Sequence, residues 1–238
     1  MVALALAPAP QRAASGLSDR VGRLLERVDC RRADTSEDRE AIFRLRYAAY
    51  LREGAISSDA SERFTDYRDE TSNAWLFGVY IDGVLASSIR LHVAFQAQPD
   101  MPALDVFADL LAPETAHGRT VIDPTRFVAD RDASRRYPEL CYATTRLAIL
   151  ASEYFHANLL LATVRAEHQA FYRRVFGHKL IYEPRHYPSL AKAISLMALD
   201  YPMARQRLLE RHPFLRSTEF ERRMLFARAR QSLPALAA

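Results

Sequence analysis

The chain has 238 residues, of which 49% are apolar and 26% charged, and this balance excludes a disordered or low-complexity polymer. Its net charge of +4 is uneven: residues 201–238 hold eight Arg and three Glu with no Asp or Lys, a net of +5, so the first 200 residues sum to −1. No uncharged run of 18 or more apolar residues exists, which excludes a membrane-spanning helix.

In chain order, residues 1 to about 17 are rich in Ala and Pro. They lack the charged start and cleavage pattern of a signal peptide and read as a loose tail. "LSDRVGRLLERV" predicts a short amphipathic helix. "TSEDREAIFRLRYAAYLREG" predicts a longer one: Thr35 and Ser36 open it, acids fill the first turn, and Gly54 closes it. "AISSDASERFTDYRDETSN" is polar, irregular and long for a loop, a length that often carries function.

Two β-rich runs flank Asp82-Gly83 in "AWLFGVYIDGVLASSIRLHVAF", a hairpin signal, because the turn needs positive φ. "PALDVFADLL" reads as a short helix and "RTVIDPTRFVAD" as a strand interrupted at Pro124. A polar, Arg-rich loop follows, then a long helix over "YPELCYATTRLAILASEYFHA", with Pro138 in its first turn. "NLLLATV" reads as a buried strand, "RAEHQAFYRRVFG" as a helix ending at Gly177, and "HKLIYEP" as a strand. Everything from "SLAKAISLMAL" onward reads as helical.

Helices alternating with a hairpin and single strands predict a three-layer α/β domain with a mixed sheet between helices. Three segments are expected: a tail with a short helix over 1–30, one catalytic domain over 31–200, and a basic helical extension over 201–238. A basic tail suits nucleic acid, anionic lipid or an acidic protein, and equally a solvated helix face.

Cys30 and Cys141 show neither CxxC nor zinc spacing, so they read as idle thiols of a reducing cytoplasm, and no metal site is expected. Lys179 and Lys192 are the only lysines, so a single exposed Arg is not by itself a mark of bidentate recognition here.

Several charges sit where charges are costly. Arg46 shares the helix stripe of Ile42, Phe43, Ala49 and Tyr50, and needs either a carboxylate partner or a route to the rim. Strict alternation puts Arg90 and His92 on one strand face with Ala86 and Ser88, and leaves open whether that face meets solvent. Asp123 and Arg126 flank Pro124 at a strand end, where open α/β sheets place ligands, although a local ion pair closing a bulge is equally compatible. Asp66 and Asp69 in "FTDYRDE" suit a cationic amine, a partner for Arg46, or a surface turn. His168, His178 and His186 have no nucleophile or metal partner at useful spacing and read as structural or surface residues.

"FRLRYAAY", "DYRD", "RLHV" and "IDPTRFV" together resemble, in order and spacing, the acyl-homoserine-lactone synthases. "RAEHQAFYRRVFGHKLIYEPRHYP" resembles the last helix and strand of GNAT acyltransferases. The combination, over about Glu40 to Pro188, is most similar to the N-acyl amino acid synthases, which join a fatty acyl group to an amino acid such as tyrosine. The resemblance implies a GNAT-like fold. It places Arg46, Arg90, Asp123 and Arg126 in a catalytic constellation, and Asp66, Asp69, Tyr50, Phe127 and Tyr172 around the substrate. Asp123 becomes the candidate base and Tyr172 the candidate acid for the leaving thiolate.

Asp123 stands where lactone synthases usually carry Glu, and "EGAISS" lacks the usual Trp. Both weigh against a lactone synthase using S-adenosylmethionine. GNAT enzymes also carry a Gly-rich loop for the CoA pyrophosphate, and here that slot reads "RFVADRDASRRYPEL", with no Gly. An acyl-phosphopantetheine thioester on an acyl carrier protein is therefore the expected donor, with no bound cofactor. Arg131, Arg135 and Arg136 are the candidate contacts for that acidic partner. The alternatives are a lactone synthase, a CoA-dependent GNAT N-acetyltransferase and a non-catalytic GNAT-like module binding nucleic acid, a partner not otherwise expected.

Overall fold

A computed structural model describes residues 16–187 and 193–228. Its centre is one seven-stranded sheet in the order β1-β2-β3-β4-β5-β7-β6. The strands are β1 (Val28–Arg32), β2 (Ala74–Ile81), β3 (Val84–Ala94), β4 (Val121–Ala129), β5 (Leu159–Val164), β6 (Lys179–Arg185) and β7 (Ile194–Asp200). Only β4 and β5 run parallel; every other neighbouring pair is antiparallel. The helices are α1 (Leu17–Leu25), α2 (Ser36–Arg52), α3 (Leu104–Ala116), α4 (Arg131–Arg136), α5 (Leu140–Tyr154), α6 (Gln169–Val175), α7 (Tyr201–Arg211) and α8 (Glu219–Phe226). They cover both faces, giving the three-layer GNAT-like α/β fold expected from the alternation.

Local chemistry accounts for the best-defined pieces. The Thr35 hydroxyl accepts from the Asp38 amide at the start of α2, a cap worth about 1 kcal/mol. Asp82 and Gly83 both take positive φ, which fits the two-residue turn between β2 and β3. Alternation on β3 sends Ile89, Leu91 and Val93 into the core beneath α5. The same alternation turns Arg90 and His92 to the α2 face, where they are buried, not solvated.

Four expectations need correction. Ile194–Asp200 is a strand, not a helix; it lies between β5 and β6, and a strand buried on both faces shows a continuous apolar run with no period of two. The preceding residues 189–192 of that reading lie outside the described residues. The edge strand β1 was concealed by its charged residues, and it pairs with β2 from Val28↔Ile81 to Arg32↔Phe77. Part of the Arg-rich loop after β4 is helical, because the Asp130 carboxylate accepts from the Asp132 and Ala133 amides and caps α4. Finally, the boundary placed at residue 30 falls inside β1, while Val21 and Leu24 of α1 pack into the main core. The C-terminal helices also lie against the body: Trp75 Nε1 donates to the Phe226 carbonyl, and Leu208 and Phe226 are buried.

Candidate active site

The site begins where two strands part. The β4–β5 ladder holds only Val121↔Leu159 and Ile122↔Leu160, and then the strands diverge at Asp123-Pro124. Pro124 has no N–H with which to continue a ladder. On its other side β4 bulges against β3: Thr125 faces Arg90 and Val128 faces Ser88, so Arg126 and Phe127 together oppose Ile89. Arg126 takes φ +54, a left-handed conformation uncommon for a residue with a side chain.

The parted strands leave a cavity of about 550 Å³, within the usual range for small-molecule sites. It passes through the sheet. Tyr50 of α2 lines it on one face, Thr145 and Ala148 of α5 line it on the other, and Thr125 to Ala129 and Leu160 to Arg165 form its sides. Phe127, Phe171, Tyr172, Phe176 and His178 contribute most of its aromatic wall.

On the α2 face, the long loop folds its acids inward to meet three guanidinium groups. Asp69 accepts from Arg46 Nη1 at 2.9 and 3.0 Å and lies 3.1 Å from Arg90 Nη1. Asp66 accepts from Arg90 Nη1 at 2.5 Å and from Arg126 Nη2 at 2.7 Å. Arg46 and Arg90 are at most 1% exposed. Arg126 also lies over the Phe64 ring at 4.3 Å and the Tyr50 ring at 5.7 Å. Arg46 therefore finds a partner instead of reaching the rim, and both acids are network members, while Asp66 also caps its own turn by accepting from the Arg68 amide.

These contacts set proton affinities. Burial alone would raise Asp66 and Asp69, but their guanidinium partners overcome it and hold both below the usual carboxylate range. Burial, aided by the charges on Arg90 and Arg126 and opposed by Asp69, pushes Arg46 down to about 10.

Asp123 behaves differently. It makes no pair with Arg126. Its Oδ2 accepts from the Ala103 amide at 2.8 Å, and Oδ1 has no partner among the described residues. Burial pushes its carboxyl up to about 7, against the opposing Ala103 hydrogen bond and the charges of Arg90 and Arg68. The question left open by the sequence, whether burial or neighbouring charge dominates, is answered in favour of burial. Asp123 itself is not on the cavity wall; its neighbours Pro124 and Thr125 are.

Of the other expected site residues, Tyr50, Phe127 and Tyr172 line the cavity. Burial pushes the Tyr172 phenol upward, so it stays protonated. Arg131, Arg135 and Arg136 are exposed on α4, whose Ser134 borders the cavity. His178, expected to be structural or surface, is buried in the cavity wall, where burial pushes it down to about 4 and leaves it neutral. Sequence reasoning also missed His92, buried in register with Asp123. It missed Arg68 as well, which clamps Asp105 and Asp100. The ladder register could have revealed His92; nothing local marks Arg68. Among the described residues no group of metal-binding side chains assembles.

A family model for the N-acyl amino acid synthase FeeM matches residues 41–200. The chain belongs to that family. It spans most of the FeeM structure, from uncultured soil microbes: 77% of this chain aligns with 96% of that one at 20% identity and a TM-score of 0.65. Two further solved structures share the fold. TofI, solved with an inhibitor and MTA, aligns over 80% of this chain and all of its own at 15% identity and a TM-score of 0.56. BjaI, a CoA-dependent acyl-homoserine lactone synthase solved with MTA, aligns over 79% and 88% at 13% identity and a TM-score of 0.55. No curated protein matches the chain. Family membership makes this chain an N-acyltransferase, and no helix among its described residues is long and apolar enough to cross a membrane.

Proposed function

We propose that the chain transfers a fatty acyl group from an acyl-carrier-protein thioester to the α-amine of an amino acid with a tyrosine-like side chain. The observation that carries this reading is the through-sheet cavity with Arg126 on its wall, the one guanidinium by which a network of three Arg and two Asp reaches that space. An apolar space suits an acyl chain. The excess guanidinium charge suits the acceptor's carboxylate, with Arg126, on the cavity wall, as its receptor. Tyr50 and Phe64 beneath that guanidinium, with Phe127 elsewhere on the cavity wall, favour an aromatic acceptor.

The α-amine, once neutral, attacks the thioester carbonyl carbon and forms the C–N bond. Asp123, with a proton affinity near neutrality, takes the amine's proton through intervening water. Collapse of the tetrahedral adduct breaks the C–S bond, and Tyr172 donates its phenolic proton to the departing thiolate. The oxyanion requires donors, and the backbone amides from Phe127 to Ala129, at and just after the bulge, are the candidates.

The Gly-free slot after β4 supports a carrier protein over CoA, and exposed Arg131, Arg135 and Arg136 on α4 suit an acidic carrier. Such a reaction belongs in the cytoplasm, where acyl carriers are charged. Mass spectrometry of extracts from a bacterial host expressing the chain tests the proposal. An N-acyl amino acid should accumulate, and should vanish with Asp123→Ala. An N-acyl lactone or an acetylated amine in its place would favour the alternatives.

A further inference from the structure

His92 and Asp123 are directly opposed residues of β3 and β4, so their side chains leave the same face of the sheet with Cβ atoms about 4.5–5.5 Å apart. Both are completely buried. Each carries one polar atom without a partner among the described residues: Nδ1 of His92 and Oδ1 of Asp123. Leaving such buried atoms unsatisfied is costly.

The tautomer of His92 follows from its other nitrogen. The Thr71 hydroxyl donates to the Arg68 carbonyl at 3.1 Å, so its oxygen is free to accept from His92 Nε2, 3.4 Å away. With the proton on Nε2, Nδ1 is a bare acceptor. It cannot become a cation there. Burial, then the charges of Arg90 and Arg68, push its pKa down to about 3, against the weaker opposing pull of Asp100 and Asp66. Asp123 meets the Ala103 amide, Arg90, Arg68 and Asp105, and Tyr187 approaches closely enough to feel its charge.

We propose that His92 is a positioning residue for Asp123, offering Nδ1 as a fixed acceptor to one water that also bonds Asp123 Oδ1. No hydrogen bond or ion pair joins the two side chains directly, and a single bridging water satisfies both orphaned atoms. When Asp123 is ionised, the water donates one proton to Oδ1 and one to Nδ1. When Asp123 is protonated, its O–H donates to the water, which still donates to Nδ1. The carboxyl thereby keeps a proton-exchange partner within the sheet in either state. The inference rests on Asp123 as the base of the proposed reaction, but its test needs no turnover, so the two can fail separately.

The test is a carboxyl ¹³C NMR titration of the full chain, with the Asp123 signal assigned by comparison with Asp123→Asn. His92→Phe keeps the ring volume and removes the acceptor. The water is lost, the carboxylate is desolvated further, and the Asp123 midpoint rises by about one pH unit or more. His92→Asn retains an oxygen at the place of Nδ1 and leaves the midpoint within about half a unit of wild type. An unchanged or lowered midpoint in His92→Phe overturns the proposal. If that variant does not fold, imidazole ¹⁵N shifts of the unaltered protein decide. Protonated Nε2 with bare Nδ1 across the Asp123 midpoint supports the assignment; a protonated Nδ1 overturns it.

Discussion

Asp123 and Arg126, three positions apart on the same strand, do not touch: Arg126 bonds Asp66, and Asp123 bonds the Ala103 amide. The separation divides the labour of the site. Arg126 belongs to an ionic network that faces the cavity, while Asp123 sits behind it in a medium poor enough in compensating charge to hold its proton to about pH 7.

A folded-state proton affinity above the unfolded value of about 3.9 makes Asp123 a stability liability at high pH. Its favourable contribution is complete below about pH 4 and is lost as pH rises through about 7. Asp123→Asn, which still accepts from Ala103, should therefore be more stable than wild type by about 3–4 kcal/mol at pH 8 and by only about 1–2 kcal/mol at pH 5. Urea denaturation at the two pH values checks this. A gain over wild type that is no larger at pH 8 than at pH 5 contradicts the burial argument.

Asp69 and Arg46 are both fully buried, so removing one charge strands the other. Asp69→Asn should cost about 3–5 kcal/mol, whereas replacing both by apolar residues, Asp69→Leu with Arg46→Met, should recover most of that loss. A double-mutant cycle by chemical denaturation reads the difference.

Arg126 is expected to hold the acceptor's carboxylate. Arg126→Lys keeps the charge but loses the planar fork and the stacking on Phe64, and should raise KM for the amino acid about tenfold or more. The corresponding amine lacking the carboxylate should be used equally by both proteins. Steady-state kinetics with the two acceptors separates recognition from general damage.

Charge reversal of Arg135 and Arg136 should raise KM for the carrier-bound donor without lowering kcat. It should leave a small-molecule thioester unaffected, since both side chains are exposed on α4, away from the network. Parallel assays with the two donors provide the check.

Local signals recovered those parts of the fold that depend on local chemistry. Thr35 at the start of α2 and Asp82-Gly83 between β2 and β3 act through backbone geometry within a few residues. β7 was illegible because its apolar run, enclosed by β5 and β6, carries no alternation, and β1 because an edge strand tolerates charge. In the site, the costly position of Arg46 was visible, but its partner Asp69 lies 23 residues away in an irregular loop that no periodicity describes. His92 was placed on the correct strand face. Whether that face met water or protein depended on where α2 and the loop came to rest, which is tertiary information.

The most direct test of the account is a reconstituted reaction: purified chain, a fatty acyl-carrier-protein thioester and an equimolar mixture of amino acids, followed by mass spectrometry and thiol release. The account predicts one thiol freed for each N-acyl amino acid formed, an aromatic acceptor preferred, and a kcat/KM that rises with pH through about 7 and collapses in Asp123→Asn. Full activity in Asp123→Asn, or no amine acylation from any carrier thioester, would contradict it.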